Sequence, residues 1–221
     1  MMDIPLVRLH ADRIMKIQTL LLASICTLAT TFADEGGDWT EIFNGRDLTG
    51  WKVSEENPGS FQVKDGMMVA DGPRAHLYYQ EDGEDAKLRN FEFEAMVKTF
   101  PKANSGVFFH TQWQERGWPR HGYEAQVNAT HGDPRKTGSI YNVKDVIDDA
   151  PHEDGEWFKY NVRVEGKRIV IKVNDEVVND FTEPEDPGHE HRRLGEGTIA
   201  IQAHDPESVI HFKNIRLRKL P

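Results

Sequence analysis

From Phe61 onward the chain alternates apolar and polar residues in short runs divided by turn residues, and no stretch keeps the spacing of a helix. A period of two predicts strands that each bury one face. The runs 61–64 and 67–70 flank Asp65-Gly66, a pair that tolerates the positive φ of a tight hairpin turn. Tyr160, Val162 and Val164 alternate with Asn161, Arg163 and Glu165. Gly166-Lys167 then turns the chain into Ile169, Ile171 and Val173, and Asn174-Asp175 turns it into Val177 and Phe181. That order predicts a three-stranded antiparallel meander with one apolar side. The same parity points Phe91, Phe93, Ala95, Val97, Val107, Phe109, Ile199, Ile201, Ala203, Ile210 and Phe212 inward. Phe108, His110, Gln202, His204, His211 and Lys213 must then point outward. An all-β sandwich or barrel is the expected class.

The outward positions carry the candidate chemistry. In the run 122–128, Tyr123, Ala125 and Val127 make the inner face, so Glu124, Gln126 and Asn128 share the outer one. A carboxylate in line with two amides suits sugar hydroxyls, and Gln and Asn are poor strand formers unless something uses them. Asn104-Ser105-Gly106 opens the strand leading to His110, and the glycine admits a close approach by a ligand or a neighbouring strand. His110 and His204 are candidate bases. The loop 111–121 presents Trp113 and Trp118 among polar residues, the arrangement by which indoles stack on sugar rings, whereas Trp51 and Trp157 read as buried. Only one carboxylate lies on the Glu124 strand. Ordinary glycoside hydrolysis needs two, about 5 Å apart for retention or about 6.5–9.5 Å apart for inversion, so a two-carboxylate glycosidase is disfavoured unless an Asp or Glu from a loop completes the pair. His189-Glu190-His191 has ligand-type side chains but lies in the polar stretch 183–197, which reads as a loop. Phosphate-cradling loops, cysteine clusters and Gly-x-Ser-x-Gly elbows are absent.

Composition narrows the classes further. The 221 residues carry 27 Lys and Arg against 37 Asp and Glu, a net charge of −10, and show no basic stripe with interleaved aromatics. Nucleic acid is therefore excluded as a partner. Lys16 precedes an uncharged run, 17–29, and Thr31-Phe32-Ala33 follows before Asp34. This is the pattern of a secretory signal, too short for the ~20 residues of a spanning helix. The expected division is an N-terminal extension and signal peptide over 1–33, then one sandwich domain over 34–221. Export to the periplasm or the extracellular space follows, with no stable membrane insertion after cleavage. Met15 is the better start. The single cysteine, Cys26, falls inside the apolar run, so the mature chain would rely on no disulfide.

Several motifs in order give the chain a specific resemblance. They are the runs 41–51 (EIFNGRDLTGW), 104–109 (NSGVFF), 122–126 (GYEAQ), 137–141 (TGSIY), 155–157 (GEW), 197–202 (GTIAIQ) and 211–215 (HFKNI). Together they resemble the 3-keto-disaccharide hydrolase domain family over nearly the whole mature chain. The resemblance implies a concanavalin A-like antiparallel β-sandwich (jelly roll), in exported bacterial proteins, and activity on glycosides oxidised at C3. A C3 ketone acidifies the C2 proton, so one base, Glu124, His110 or His204, suffices for elimination followed by hydration. Asn104, Gln126, Gln202, Trp113, Trp118 and Tyr141 then become candidate substrate-binding residues on the concave sheet. A divalent cation is a candidate stabiliser of the enolate, with its ligands unassigned. Asn128 departs from the family, where Asp often stands. The rival class is a non-catalytic extracellular carbohydrate-binding module on the same fold.

Overall fold

In the computed structural model residues 37–221 are described. The expectations for the signal segment, for Met15 and for Cys26 lie outside the described residues. The strands are β1 (Thr40–Glu41), β2 (Trp51–Val53), β3 (Phe61–Lys64), β4 (Met67–Asp71), β5 (Ala75–Glu81), β6 (Glu84–Asp85) and β7 (Phe91–Thr99) in the first half. They continue as β8 (Asn104–Thr111), β9 (Tyr123–Asn128), β10 (Phe158–Glu165), β11 (Arg168–Val173), β12 (Glu176–Thr182), β13 (Thr198–Ala203) and β14 (Val209–Lys219). The helical element among the described residues is one 3-10 turn, Pro58–Ser60. None of their helices is long and apolar enough to cross a membrane.

Turn chemistry sets the local pairings. Asp65 and Gly66 both take positive φ, 51° and 77°, so β3 and β4 close as a tight hairpin. Asn174 and Asp175, at 49° and 70°, do the same between β11 and β12. The larger sheet runs β12-β11-β10-β7-β14-β4-β3 with β1 added beside β14, and the smaller runs β2-β5-β13-β8-β9 with β6 added beside β5. All pairings between these strands are antiparallel. The inward residues read from parity fill the space between the sheets: Phe91, Phe93, Val107, Phe109, Ile199, Ile201 and Phe212 are fully buried in one cluster. Each contributes roughly 1.5–3 kcal/mol by leaving water. Tyr160 crosses this core, its hydroxyl donating to the Gln126 carbonyl at 3.0 Å.

Two sequence expectations fail here, each for a physical reason. Val177 is 55% exposed because a bulge shifts the β11–β12 register after Ile171, and Val178 packs on the core instead. Trp157 is half-buried on the outer face of the larger sheet, with the Lys213 and Lys98 ammoniums 4.0 and 5.1 Å from its ring centre. The expected burial of Trp51 does hold, and its Nε1 donates to the Ile42 carbonyl. The outer face of the smaller sheet is apolar in part. Tyr78, Phe108 and Ala200 form a second apolar cluster there, and Trp113 packs on it.

Candidate functional site

On the outer face of the smaller sheet, register brings four strands' side chains into one place. Asn104 opposes Asn128, Gly106 opposes Gln126, Phe108 opposes Glu124, and Gln202 on β13 opposes His76 on β5. A pocket of about 350 Å³ opens over them, lined by Asn104, Phe108, Trp118, Pro119, Glu124, Gln126, Tyr141, Arg192, Gln202 and His204. Seven of the candidate residues from the sequence therefore converge.

Glu124 is held by a missing side chain. A Cβ on Gly106 would lie 2.2 Å from Glu124 Oε1, so only glycine leaves room for the carboxyl to fold across β8. There it accepts a hydrogen bond from Gln202 Nε2 at 3.3 Å. The close approach expected at Gly106 is thus made by Glu124 itself. Burial pushes the Glu124 carboxyl up to about 8, against the opposing influence of Arg192 and of the Gln202 hydrogen bond. Burial thus favours the protonated carboxyl.

The rest of the floor is a hydrogen-bonded chain. Gln126 Nε2 donates to Asn104 Oδ1 at 3.0 Å, and Asn104 Nδ2 reaches His131 Nδ1 at 3.2 Å. The backbone N–H of Asp133 also donates to His131 Nδ1, so the proton of a neutral His131 sits on Nε2. His204 is oriented by Asp205. Its Nδ1 lies 2.6 Å from Asp205 Oδ2, which Ser208 Oγ also reaches at 2.8 Å. Partial burial pulls the Asp205 carboxyl up, but the hydrogen bonds from His204, Ser208 and the Glu207 N–H hold it below the ordinary carboxylate range. With Nδ1–H donated to Asp205, the lone pair of a neutral His204 lies on Nε2.

His131, His204 and Asp205 offer atoms within 4.8 Å of one another, the separation of a cation cage. As hydrogen-bonded, they do not suit a divalent cation. His131 Nδ1 is taken by two N–H donors and its Nε2 carries the proton, while Asp205 is engaged by His204 and Ser208. Asn128 serves the same loop: its amide donates to the carbonyls of Asp133 and Arg135 and accepts from the His131 N–H.

His110 lies outside the pocket, which corrects its reading as an outward base. A bulge between β8 and β13 leaves it opposite no residue, with φ of 55°, and turns its ring toward Phe91 and Phe109. Gly122 and Gly197 make room, since a Cβ on either would strike the His110 backbone within 2.9 Å. Gly195 N–H donates to Nδ1, so Nε2–H donates to the Arg89 carbonyl at 2.9 Å, and burial pushes the ring down to about 4. It is a neutral latch on the loop that carries Arg192. Trp113 is also elsewhere, packed on Tyr78 and Phe108 beneath Lys52, its backbone N–H donating to Asp85 and its indole N–H to the Val53 carbonyl.

Trp118 stands at the pocket edge, 45% exposed, with the rings of His204 and His76 at 5.4 and 5.7 Å and the Arg74 guanidinium against it. Tyr141 lines the wall, its hydroxyl donating to Asp133 and its ring covered by Arg135. Sequence reasoning missed Arg192, Asp205 and His76. Arg192 lies in a loop with no periodicity. Asp205 directly follows His204, and that adjacency was an available signal. His76 is fully buried against Phe108, and burial, then Arg74, push it down to about 3.

The model of a family described as the 3-keto-alpha-glucoside-1,2-lyase-like domain matches residues 38–218. The chain belongs to this family. A relative of this lyase-like domain, the 3-keto-disaccharide hydrolase of Bacteroides thetaiotaomicron, is 25% identical over 166 residues, 63% of this chain and 57% of the relative. The chain thus spans little more than half of that relative's length. Among solved structures, a proposed glycosyl hydrolase of Parabacteroides distasonis has a TM-score of 0.70 at 24% identity, covering 85% of this chain and 95% of its own. The Bacillus licheniformis β-glucanase has a TM-score of 0.55 at 11% identity, covering 86% and 100%. A carbohydrate binding module of Bacillus subtilis reaches 0.52 at 15% identity, covering 75% and 93%. These likenesses establish the sandwich as a glucanase-type jelly roll.

Proposed function

We propose that this member of the family cleaves 3-keto-glycosides by elimination and hydration, with His204 as the base and Glu124 as the acid. The observation that carries the reading is a pocket holding one proton-retaining carboxyl together with a histidine whose base nitrogen is free and whose other nitrogen is fixed by Asp205. His204 Nε2 takes the C2 proton, and the electron pair forms the enolate with the C3 oxygen. Amides of Asn104, Gln126 and Gln202 and the Arg192 guanidinium stabilise that charge. The enolate then collapses: C3=O re-forms, C1=C2 forms, the C1–O bond breaks, and Glu124 gives its proton to the departing oxygen. Water adds across C1=C2, its oxygen at C1 and its proton at C2, which returns a free 3-keto sugar. Two carboxylates are not required because the ketone supplies the acidity.

The substrate in this reading is an oxidised disaccharide or glycoside, with Trp118 at the mouth against one sugar face. Turnover of a 3-keto-glucoside by His204→Gln and Glu124→Gln tests it. Each should lose roughly 10²–10⁴ in kcat with the fold retained, and His110→Gln should not match them. Wild-type binding of the 3-keto-glucoside without turnover would overturn the reading in favour of a carbohydrate-binding module. We also infer export, supported by the uncharged run 17–29 ahead of Ala33. N-terminal sequencing of protein recovered outside the cytoplasm should begin near Asp34, and a product retaining Met15 would sink it.

A further inference from the structure

The outer face of the larger sheet is divided by a bulge in β14, where Asn214 has φ of 51° and the register to β7 shifts between Lys213 and Arg216. On one side the acids are held by arginines, Glu92 by Arg163 and Arg218 and Glu94 by Arg216, with Lys172 on β11 beside them. The other side is cationic. Lys159 and Lys213 both oppose Met96, Lys64 opposes Met67, and His211 opposes Lys98. Among the described residues, Lys64, Lys98 and Lys213 make no ion pair. Acids border the patch: Asp175 pairs with Lys159 at 2.6 Å, Asp71 ends β4 near His211, Asp65 follows Lys64 in the hairpin turn, and Glu156 precedes Trp157. Such a cluster stands out on a chain of net charge −10.

Its geometry is regular. Lys159, Lys213 and Lys64 stand on β10, β14 and β3, every second strand of the run β10-β7-β14-β4-β3. Strands lie ~4.8 Å apart, so these cations recur every ~10 Å across the sheet. Between them lie the partly covered Met96 and Met67, and Trp157 sits beneath Lys213 and Lys98. Duplex DNA carries a charge every ~1.7 Å, far denser than this row can match. Lys213 and Lys64, the two of this row without an ion pair, stand one disaccharide length apart with apolar surface between, which matches a linear polysaccharide in which uronate alternates with a neutral sugar. The carboxylates would meet the lysines and the C–H faces would meet Met and Trp.

We infer that this face is a docking surface for an alternating-uronate polysaccharide, on the sheet opposite the pocket. Hyaluronan oligosaccharides are the probe, titrated against the full chain by calorimetry, with neutral dextran, dextran sulfate and duplex DNA as comparisons. Hyaluronan should bind, weaken as salt rises, and lose roughly tenfold or more in affinity in Lys64→Ala/Lys98→Ala/Lys213→Ala. Lys64→Ala alone, at the sheet edge, should lose part of that affinity, and Lys→Arg at the three positions should restore it. Absence of hyaluronan binding overturns the proposal. So does binding that the triple variant leaves unchanged, or affinity for dextran sulfate or DNA exceeding that for hyaluronan. Turnover of a small 3-keto-glucoside by these variants should equal wild type, which keeps this surface separable from the pocket.

Discussion

Glu92 and Glu124 are the same residue type at the same outward parity on opposite sheets, and they end in opposite ionisation states. Glu92 receives Arg218 Nη2 at 2.6 Å, Asn161 Nδ2 at 2.9 Å and Arg163 Nη1 at 3.2 Å. Burial raises its carboxyl, but these donors outweigh burial and hold it below the ordinary range. Glu124 receives one amide, at 3.3 Å, and burial carries it to about 8. What differs is the neighbouring strands. The larger sheet places arginines on β10 and β14 across from Glu92, whereas the smaller sheet places a glycine and an amide beside Glu124. One carboxylate ties strands together, and the other is held toward its protonated form by burial.

The sharpest way to break the Glu124 arrangement is Gly106→Ala. The new Cβ would meet Oε1 at 2.2 Å, so the carboxyl must swing off β8 and away from Gln202. Turnover on the substrate that the wild type cleaves should fall by about 10² or more. Wild-type kcat in a folded Gly106→Ala protein would show that the slot does not position Glu124. On the other sheet, Glu92→Gln should cost about 1–3 kcal/mol at pH 7, because it takes the shared anion away from two partly covered guanidinium groups, of which Arg163 keeps Glu165. Urea midpoints measure it, and a loss below about 0.5 kcal/mol would make the network a solvated surface feature.

Most of the fold was legible because parity is reliable wherever a strand is regular. The core residues of β7, β10, β13 and β14 were read correctly for that reason. It failed where one residue is inserted: at His110 and at Val177–Val178 a bulge reverses the faces, and no local pattern marks the insertion. Gly122 and Gly197 were the available hint at His110, since both exist to let its backbone close in. In the pocket, the outward row Glu124–Gln126 and the residues Asn104, Gln202 and His204 were visible from parity. The direction of Glu124's proton affinity was not, because it depends on which groups sit across strands rather than along them.

The comparison predicts opposite pH responses for two conservative variants. In the unfolded chain both carboxyls ionise near the ordinary value of 4.5. Glu92 is lowered in the fold, so its stabilisation is present above that value and is lost as pH falls through its folded pKa. Glu92→Gln and wild type should therefore converge in acid. Glu124 is raised, so below 4.5 both states hold the proton and the site costs nothing. Between 4.5 and about 8 the unfolded chain releases that proton while the fold retains it, and the cost of burial grows until it levels off above 8. Linkage over the full shift gives an upper bound of ~5 kcal/mol, and water in the pocket brings the expected effect to about 1–2 kcal/mol. Glu124→Gln should thus gain stability over wild type between pH 5 and pH 8.5, read from urea midpoints at the two values. An unchanged difference would mean that Glu124 is ionised in the fold at neutral pH, which would remove it as the proton donor to the leaving group.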